Sequence, residues 1–299
     1  MTSEAIHEDL LSFHPQHDFF VGIDSDGCVF DSMEPKQKEC FCPVTIEKWG
    51  LAGVSKYARE VWEFVNLYSI HRGCNRFIAL LTTCDILRER PEVIRRSVEI
   101  PILEELRGWS QRTGKLSNPA LQEEIERTGS EELIHVMDWS LAINRAVEQL
   151  IRGVTPFPHV RESLEKLQSQ ADMVVVSSTP VEALKREWNE NGIDPCVALI
   201  AGQEQGKKGE ILIQTSRGPY GDNHTLMIGD AKGDLDAARS AGCRFYPIVP
   251  GEEELSWLMF HEEVIDIFLA GKYDESREAQ HLASFTQALP EQPPWIQNG

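Results

Sequence analysis

The chain has 299 residues, 41% hydrophobic and 26% charged, with a formal net charge of −19. That length accommodates one large core, or a core with a second domain inserted in it, and the composition is that of an ordinary globular protein. So acidic a chain has no general attraction for the nucleic-acid backbone or for anionic lipid, which argues against both as partners.

The start, MTSEAIHEDLLSF, lacks the basic-then-apolar pattern of a signal peptide. No apolar run reaches the roughly 18–20 residues that a membrane span requires. Seven cysteines occur, at Cys28, Cys40, Cys42, Cys74, Cys84, Cys196 and Cys243. An odd number at irregular spacing predicts reduced thiols and a cytoplasmic protein. Cys40 and Cys42 are the one close pair, and no second pair completes a zinc-ligand spacing.

The first predicted element is an apolar strand over 18–23, which stops abruptly at Asp24-Ser25-Asp26-Gly27. A buried parallel strand meets its carboxyl-terminal loop in this way. From 33 to 156 β-branched runs are scarce. Amphipathic helices are expected over 54–68, 84–95, 100–108, 120–128 and 139–152, punctuated by Gly73, Pro91, Pro101, Gly114 and Pro119. The interval 33–156 therefore reads as a helical domain inserted after the first strand, with its return link in GVTPFP at 153–158.

Strand and helix then alternate. A helix over 160–170 precedes a strand over 173–176 that ends in SSTP. A helix over 182–191 opens after Pro180, and a strand over 197–201 ends in GQEQG. A strand over 225–228 ends in GDAKGD, a helix over 235–241 closes on Gly242, and a last strand covers 244–249. The fold class this predicts is α/β: a doubly wound parallel sheet, Rossmann-like, formed by a discontinuous core of 1–32 and 157–250. Residues 251–299 are expected to add one more helix, over 251–270, and a proline-rich tail that is extended or docked by Trp295. Ligands of such sheets sit beyond the carboxyl ends of the strands, where all of these polar signatures lie.

Asp24 and Asp26 stand two apart just past a strand, a spacing that puts both side chains on one side if the chain stays extended, before Gly27 bends it away. One carboxylate can attack phosphorus while the other handles protons. Asp230 and Asp234 lie in a second acidic loop. Hard cations such as Mg²⁺ take oxygen ligands, often only one or two carboxylates plus water and substrate, and Asp24 with Asp230 would supply these from neighbouring strands. Asp236 falls in the following helix, where an acid favours the N-terminus. Ser177, first after its strand, can donate a hydroxyl hydrogen bond to a phosphoryl oxygen, with Ser178 and Thr179 as alternatives. Lys208 can neutralise phosphoryl charge, with Lys207 as the alternative.

The ordered set DxDG, Ser, Lys, GDxxxD resembles the haloacid dehalogenase superfamily over about 18–31 and 158–250. The resemblance implies a Rossmann-like core and a magnesium-dependent hydrolase. It makes Asp24 the nucleophile and Asp26 the general acid/base. It has Asp230 bind Mg²⁺ through its carboxylate, Asp26 through its backbone carbonyl, and Asp234 support the metal's water shell, while Ser177 and Lys208 hold the phosphoryl group. An insert at this place resembles the family's helical-cap subclass. Ser25 departs from the pattern, standing where an apolar residue is more usual.

Asp26 narrows the reaction, because an alkoxide leaving group needs a proton donor and a halide does not. The expectation is a phosphatase acting on a small phosphorylated metabolite. The alternatives are a sugar-phosphate mutase using the same aspartyl-phosphate, and a non-catalytic binding protein of the same fold. Within the insert, His71, Arg72 and Arg76, with Asn75, lie around Gly73, and Arg72 and Arg76 are candidate contacts for a second anionic part of the substrate. Oligomeric state is left open.

Overall fold

Five apolar segments pair into one parallel sheet in the computed structural model, which describes residues 10, 12–218 and 220–296. They are β1 (Phe19–Ile23), β2 (Ala171–Val176), β3 (Leu199–Ala201), β4 (Thr225–Gly229) and β5 (Arg244–Pro247), in the spatial order β3-β2-β1-β4-β5. Val21 of β1 lies opposite Met173 of β2 on one side and Leu226 of β4 on the other. The chain builds outward from β1 in one direction, then crosses back to β4 and builds in the other. The switch point therefore falls between the ends of β1 and β4, and the residues that follow those strands are Asp24 and Asp230.

Alternation along the strands gives each face its own cover. Val21, Ile23, Met173, Val175, Leu226 and Ile228 share a core with Leu164 of the helix Val160–Leu167 and Trp188 of the helix Val181–Glu190. Residues of the other register meet the helix Lys208–Thr215, so closely that a Cβ on Gly22 would lie 2.6 Å from Leu212. Buried Asp172, at the start of β2, accepts from the backbone of Gln16 and His17 and from the Tyr220 hydroxyl at 2.9 Å. These bonds fix the segment that leads into β1.

The described residues divide into two compact units, one running to Ser32 and from Val154 to Leu289, the other covering Met33–Gly153 and the chain from Pro290. The segment after β5 is part of the first unit. It forms the helices Glu253–Met259 and Ile265–Leu269, joined by a π turn, and then the helix Glu275–Ala288. That last helix docks on β5 through buried Glu278, which accepts from the Phe245 backbone at 2.7 Å and from Arg239 and Arg244.

The second unit is helical and has its own apolar core. Its longer helices are Cys42–Lys48, Ser55–Leu67, Arg76–Glu89, Glu104–Arg112, Asn118–Thr128 and Glu131–Leu150. Caps explain where these depart from the periodicity. The helix expected over 84–95 starts at Arg76, because the Asn75 side chain accepts from Phe77 N, and it stops at Glu89, because Pro91 forces Arg90 to ψ 120. The helix expected from 139 starts at Glu131 behind the Ser130 cap. In the tail, Trp295 packs edge-on to Phe64 at 5.6 Å with the Arg90 guanidinium 4.4 Å from its ring centre. Residues 1–9 and 297–299, the acidic start and the last of the tail, lie outside the described residues. Among the described residues no helix is long and apolar enough to cross a membrane.

Candidate active site

Asp24 follows β1 with its backbone N–H on Ile228 O of β4 at 3.0 Å, which carries the strand register into the loop. Gly27 takes φ 77 and turns the chain. Asp230 follows β4. The next helix begins at Lys232, earlier than the pattern predicts, so Asp234 sits in its first turn and accepts from Ala231 N at 3.1 Å. Gly229 makes room for that arrangement, since a Cβ there would lie 2.4 Å from the Asp234 Cβ. Asp234 therefore caps the helix, while exposed Asp236 only pairs with Lys232.

Carboxylate oxygens of Asp24, Asp230 and Asp234 lie within 4.8 Å of one another, and all three residues are buried. Lys208, at the first position of the helix Lys208–Thr215, reaches into this group. Its Nζ is 2.8 Å from Asp24 Oδ1 and 2.6 Å from Asp234 Oδ1. Lys207 is exposed, and its backbone N–H meets Glu210. Burial first, then the charge of Asp234, with Asp230 adding to it, pushes the Asp24 carboxyl well above its usual range, against the pull of Lys208. Burial alone would lower the Lys208 ammonium, but Asp234 and Asp24 outweigh it and hold that group charged. Hard oxygen donors at this separation suit a small divalent cation.

Ser177 is buried at the end of β2, with its N–H on Ala201 O, and its Oγ accepts from Thr179 N at 3.2 Å. Ser178 is exposed. The Asp26 carboxylate accepts from Ser32 Oγ and from Thr179 Oγ1. The unusual Ser25 has a partner as well: its Oγ accepts from the Trp188 indole at 3.1 Å, and both residues are fully buried. Sequence reading gave Trp188 no part in the site. Its place in the helix Val181–Glu190 marks it as core, but which loop its N–H would reach depends on how that helix packs.

Arg72 and Arg76 belong to the helical unit, and both find partners inside it. Arg72 is 4% exposed and donates to Leu67 O at 3.1 Å. Arg76 donates to Ser140 O, Ser140 Oγ and Asn144 Oδ1, with its guanidinium 5.3 Å from the Phe41 ring centre, and burial lowers its pKa to about 10. These contacts are internal bracing.

The family model described as haloacid dehalogenase-like hydrolase matches residues 103–248, a little under half of the chain. That stretch carries Ser177, Lys208, Asp230 and Asp234, and the parallel sheet joins them to Asp24. Over that stretch the chain is similar to the haloacid dehalogenase-like hydrolases. Solved structures resemble the chain at low identity. A protein of Lactobacillus delbrueckii, provisionally assigned as a phosphoglycolate phosphatase, is 14% identical, with a TM-score of 0.46 over 83% of this chain and 92% of its own. A haloacid dehalogenase-like hydrolase of Streptococcus pneumoniae is 15% identical, with a TM-score of 0.43 over 80% and 90%. A Thermotoga maritima protein, provisionally assigned as a β-phosphoglucomutase, is 18% identical, with a TM-score of 0.40 over 77% and 84%. No curated protein matches the chain.

Proposed function

We propose that this haloacid dehalogenase-type chain is a Mg²⁺-dependent phosphatase that hydrolyses a small phosphomonoester through a phosphoryl-enzyme on Asp24. The observation that carries this reading is the position of Lys208 Nζ, in contact with both Asp24 and Asp234 inside a cluster of three buried carboxylates. A carboxylate held this way is a nucleophile whose charge is partly neutralised toward an incoming anion. Asp24 and Asp230 would hold the metal directly, with the Asp26 backbone carbonyl, and Asp234 would support its water shell. Bound Mg²⁺ would supply charge stabilisation for the phosphoryl oxygens.

The chain's own residues account for the remaining steps. An Asp24 oxygen attacks phosphorus as the bond to the ester oxygen breaks. Asp26, in its acid form, gives a proton to the departing alkoxide, which leaves as the alcohol. Asp26, now a carboxylate, takes a proton from a water that attacks the phosphorus of the aspartyl-phosphate. Phosphate leaves and Asp24 is restored. Ser177 and Lys208 hold the phosphoryl oxygens throughout. The helical unit would act as the cap that selects the substrate.

A panel of phosphomonoesters, assayed with Mg²⁺ and with chelator, tests the reading. The expected result is metal-dependent release of inorganic phosphate from at least one ester, lost in Asp24→Asn. Isomerised ester without phosphate release would replace the phosphatase by a mutase. No turnover of either kind would reject both.

A further inference from the structure

Asp26 is held at both carboxylate oxygens. Ser32 Oγ donates to Oδ1, and Thr179 Oγ1 donates to Oδ2 at 2.8 Å. The two hydroxyls come from different loops, and each is fixed in its own way. Ser32 is fully buried at the end of the loop that follows β1, with its N–H on Phe30 O at 2.7 Å. Phe30 N in turn reaches Ser25 O, and Gly27 N reaches Phe30 O, so residues 25–32 close on themselves around the aspartate.

Thr179 belongs to the loop after β2. Its N–H donates to Ser177 Oγ, and its carbonyl accepts from Gln203 N at 3.1 Å. Gly202, after β3, presses against it: a Cβ there would lie 2.4 Å from Thr179 O and 2.9 Å from Val181 N. The Gly202 N–H is itself held by buried Gln205 Oε1 at 2.8 Å. Three consecutive strand ends thus set one hydroxyl.

We infer that Ser32 and Thr179 are positioning residues for Asp26, fixing the direction in which its carboxyl group gives and takes protons, with Gly202 as the backbone contact that sets Thr179. This rests on the reading of Asp26 as the acid/base. It separates two functions within one site, because proton delivery depends on the hydroxyls while phosphoryl capture by Asp24 does not.

The test compares single-turnover phosphorylation of the full chain with Mg²⁺, using glycerol phosphate as an alkyl ester and p-nitrophenyl phosphate as an aryl ester that needs little protonation. Thr179→Val should lower the alkyl rate by about ten- to a hundredfold, the scale of a misplaced catalytic group, and spare the aryl rate. Thr179→Ser should restore it, and Ser32→Ala should shift the alkyl-to-aryl ratio in the same direction. A crystal structure of Thr179→Val should show the Asp26 carboxylate turned from its wild-type direction. Equal losses for the two esters, or failure of the serine variant to restore the ratio, would overturn the inference. If Thr179→Val does not fold, Ser32→Ala decides by the same ratio and the same structural comparison. If the wild type phosphorylates with neither ester, the direction of Asp26 in the variant structure alone decides, and the phosphatase reading is judged separately on the ester panel. An unmoved carboxylate rejects the inference.

Discussion

Asparagine in place of Asp24 removes the attacking carboxylate from a cluster of three. Turnover should fall by several orders of magnitude, as in other covalent catalysts stripped of their nucleophile. Without metal the protein should melt no lower than the wild type, because burial and the neighbouring Asp234 already disfavour the charged form of Asp24. Calorimetry beside the assay checks both, and a large drop in melting temperature would mean the Asp24→Asn protein is misfolded rather than disarmed. Ser25→Ala tests a different effect. It leaves the buried Trp188 indole N–H without its acceptor, a cost of about 1–3 kcal/mol, read by denaturant midpoint. An unchanged midpoint would show that the indole finds another partner. The meeting of Asp24, Asp230 and Lys208 was legible in the chain because Asp24 and Asp230 directly follow strands and Lys208 opens the helix after the β3 loop, so chain order brings them to one end of the sheet. Trp188 and the two hydroxyls on Asp26 were not, because their partners are set by how separate loops and helices pack.

At the level of elements, the strands were legible because buried parallel strands are short apolar runs bounded by turns. Helix ends in the second unit were not, since the caps Asn75 and Ser130 and the break at Arg90 outweigh periodicity. The helix Cys42–Lys48, which follows a π turn, went unforeseen. The docking of the helix Glu275–Ala288 on β5 was also hidden, because it rests on one buried carboxylate far along the chain. Glu278→Ala should cost about 1–3 kcal/mol, most of it from the stranded Phe245 N–H, because Arg239 and Arg244 are partly exposed and can turn to water. Chemical denaturation measures it, and a loss near zero would show the helix docks by apolar contact alone. The same helix carries His281, stacked on Tyr273 at 5.9 Å and edge-on to Tyr246 at 5.0 Å. Burial first, with Arg277 adding and Glu263 opposing, holds its imidazole below the usual value. A histidine depressed in the folded state binds more protons when unfolded, so its contribution is intact above the unfolded pKa, roughly 6.5, and is lost as pH falls below it. Melting temperature should therefore decline between pH 7 and 5, less steeply in His281→Phe. Parallel curves for the two proteins would remove His281 as a source.

For the molecule as a whole, each of the two units has its own apolar core, so two perturbations should act independently. The first is metal. A cation that binds the folded carboxylate cluster and not the unfolded chain stabilises by mass action, about 2.7 kcal/mol at a hundred times its dissociation constant. The second is Arg76→Ala, which removes the donor to Ser140 and Asn144 and the contact with Phe41 in the helical unit, at a cost of about 1–3 kcal/mol. Sites that share no partner add. The Mg²⁺-induced rise in melting temperature should therefore be the same size in Arg76→Ala as in the wild type, on a lower baseline, and should vanish in Asp230→Asn, whose baseline need not fall. Substrate comparison completes the argument. If Arg76 is bracing, its loss depresses turnover of the preferred ester and of p-nitrophenyl phosphate by the same factor. A loss confined to the preferred ester, with the melting curve unmoved, would return Arg76 to the substrate site. A metal shift that survives in Asp230→Asn would move the cation away from the three carboxylates.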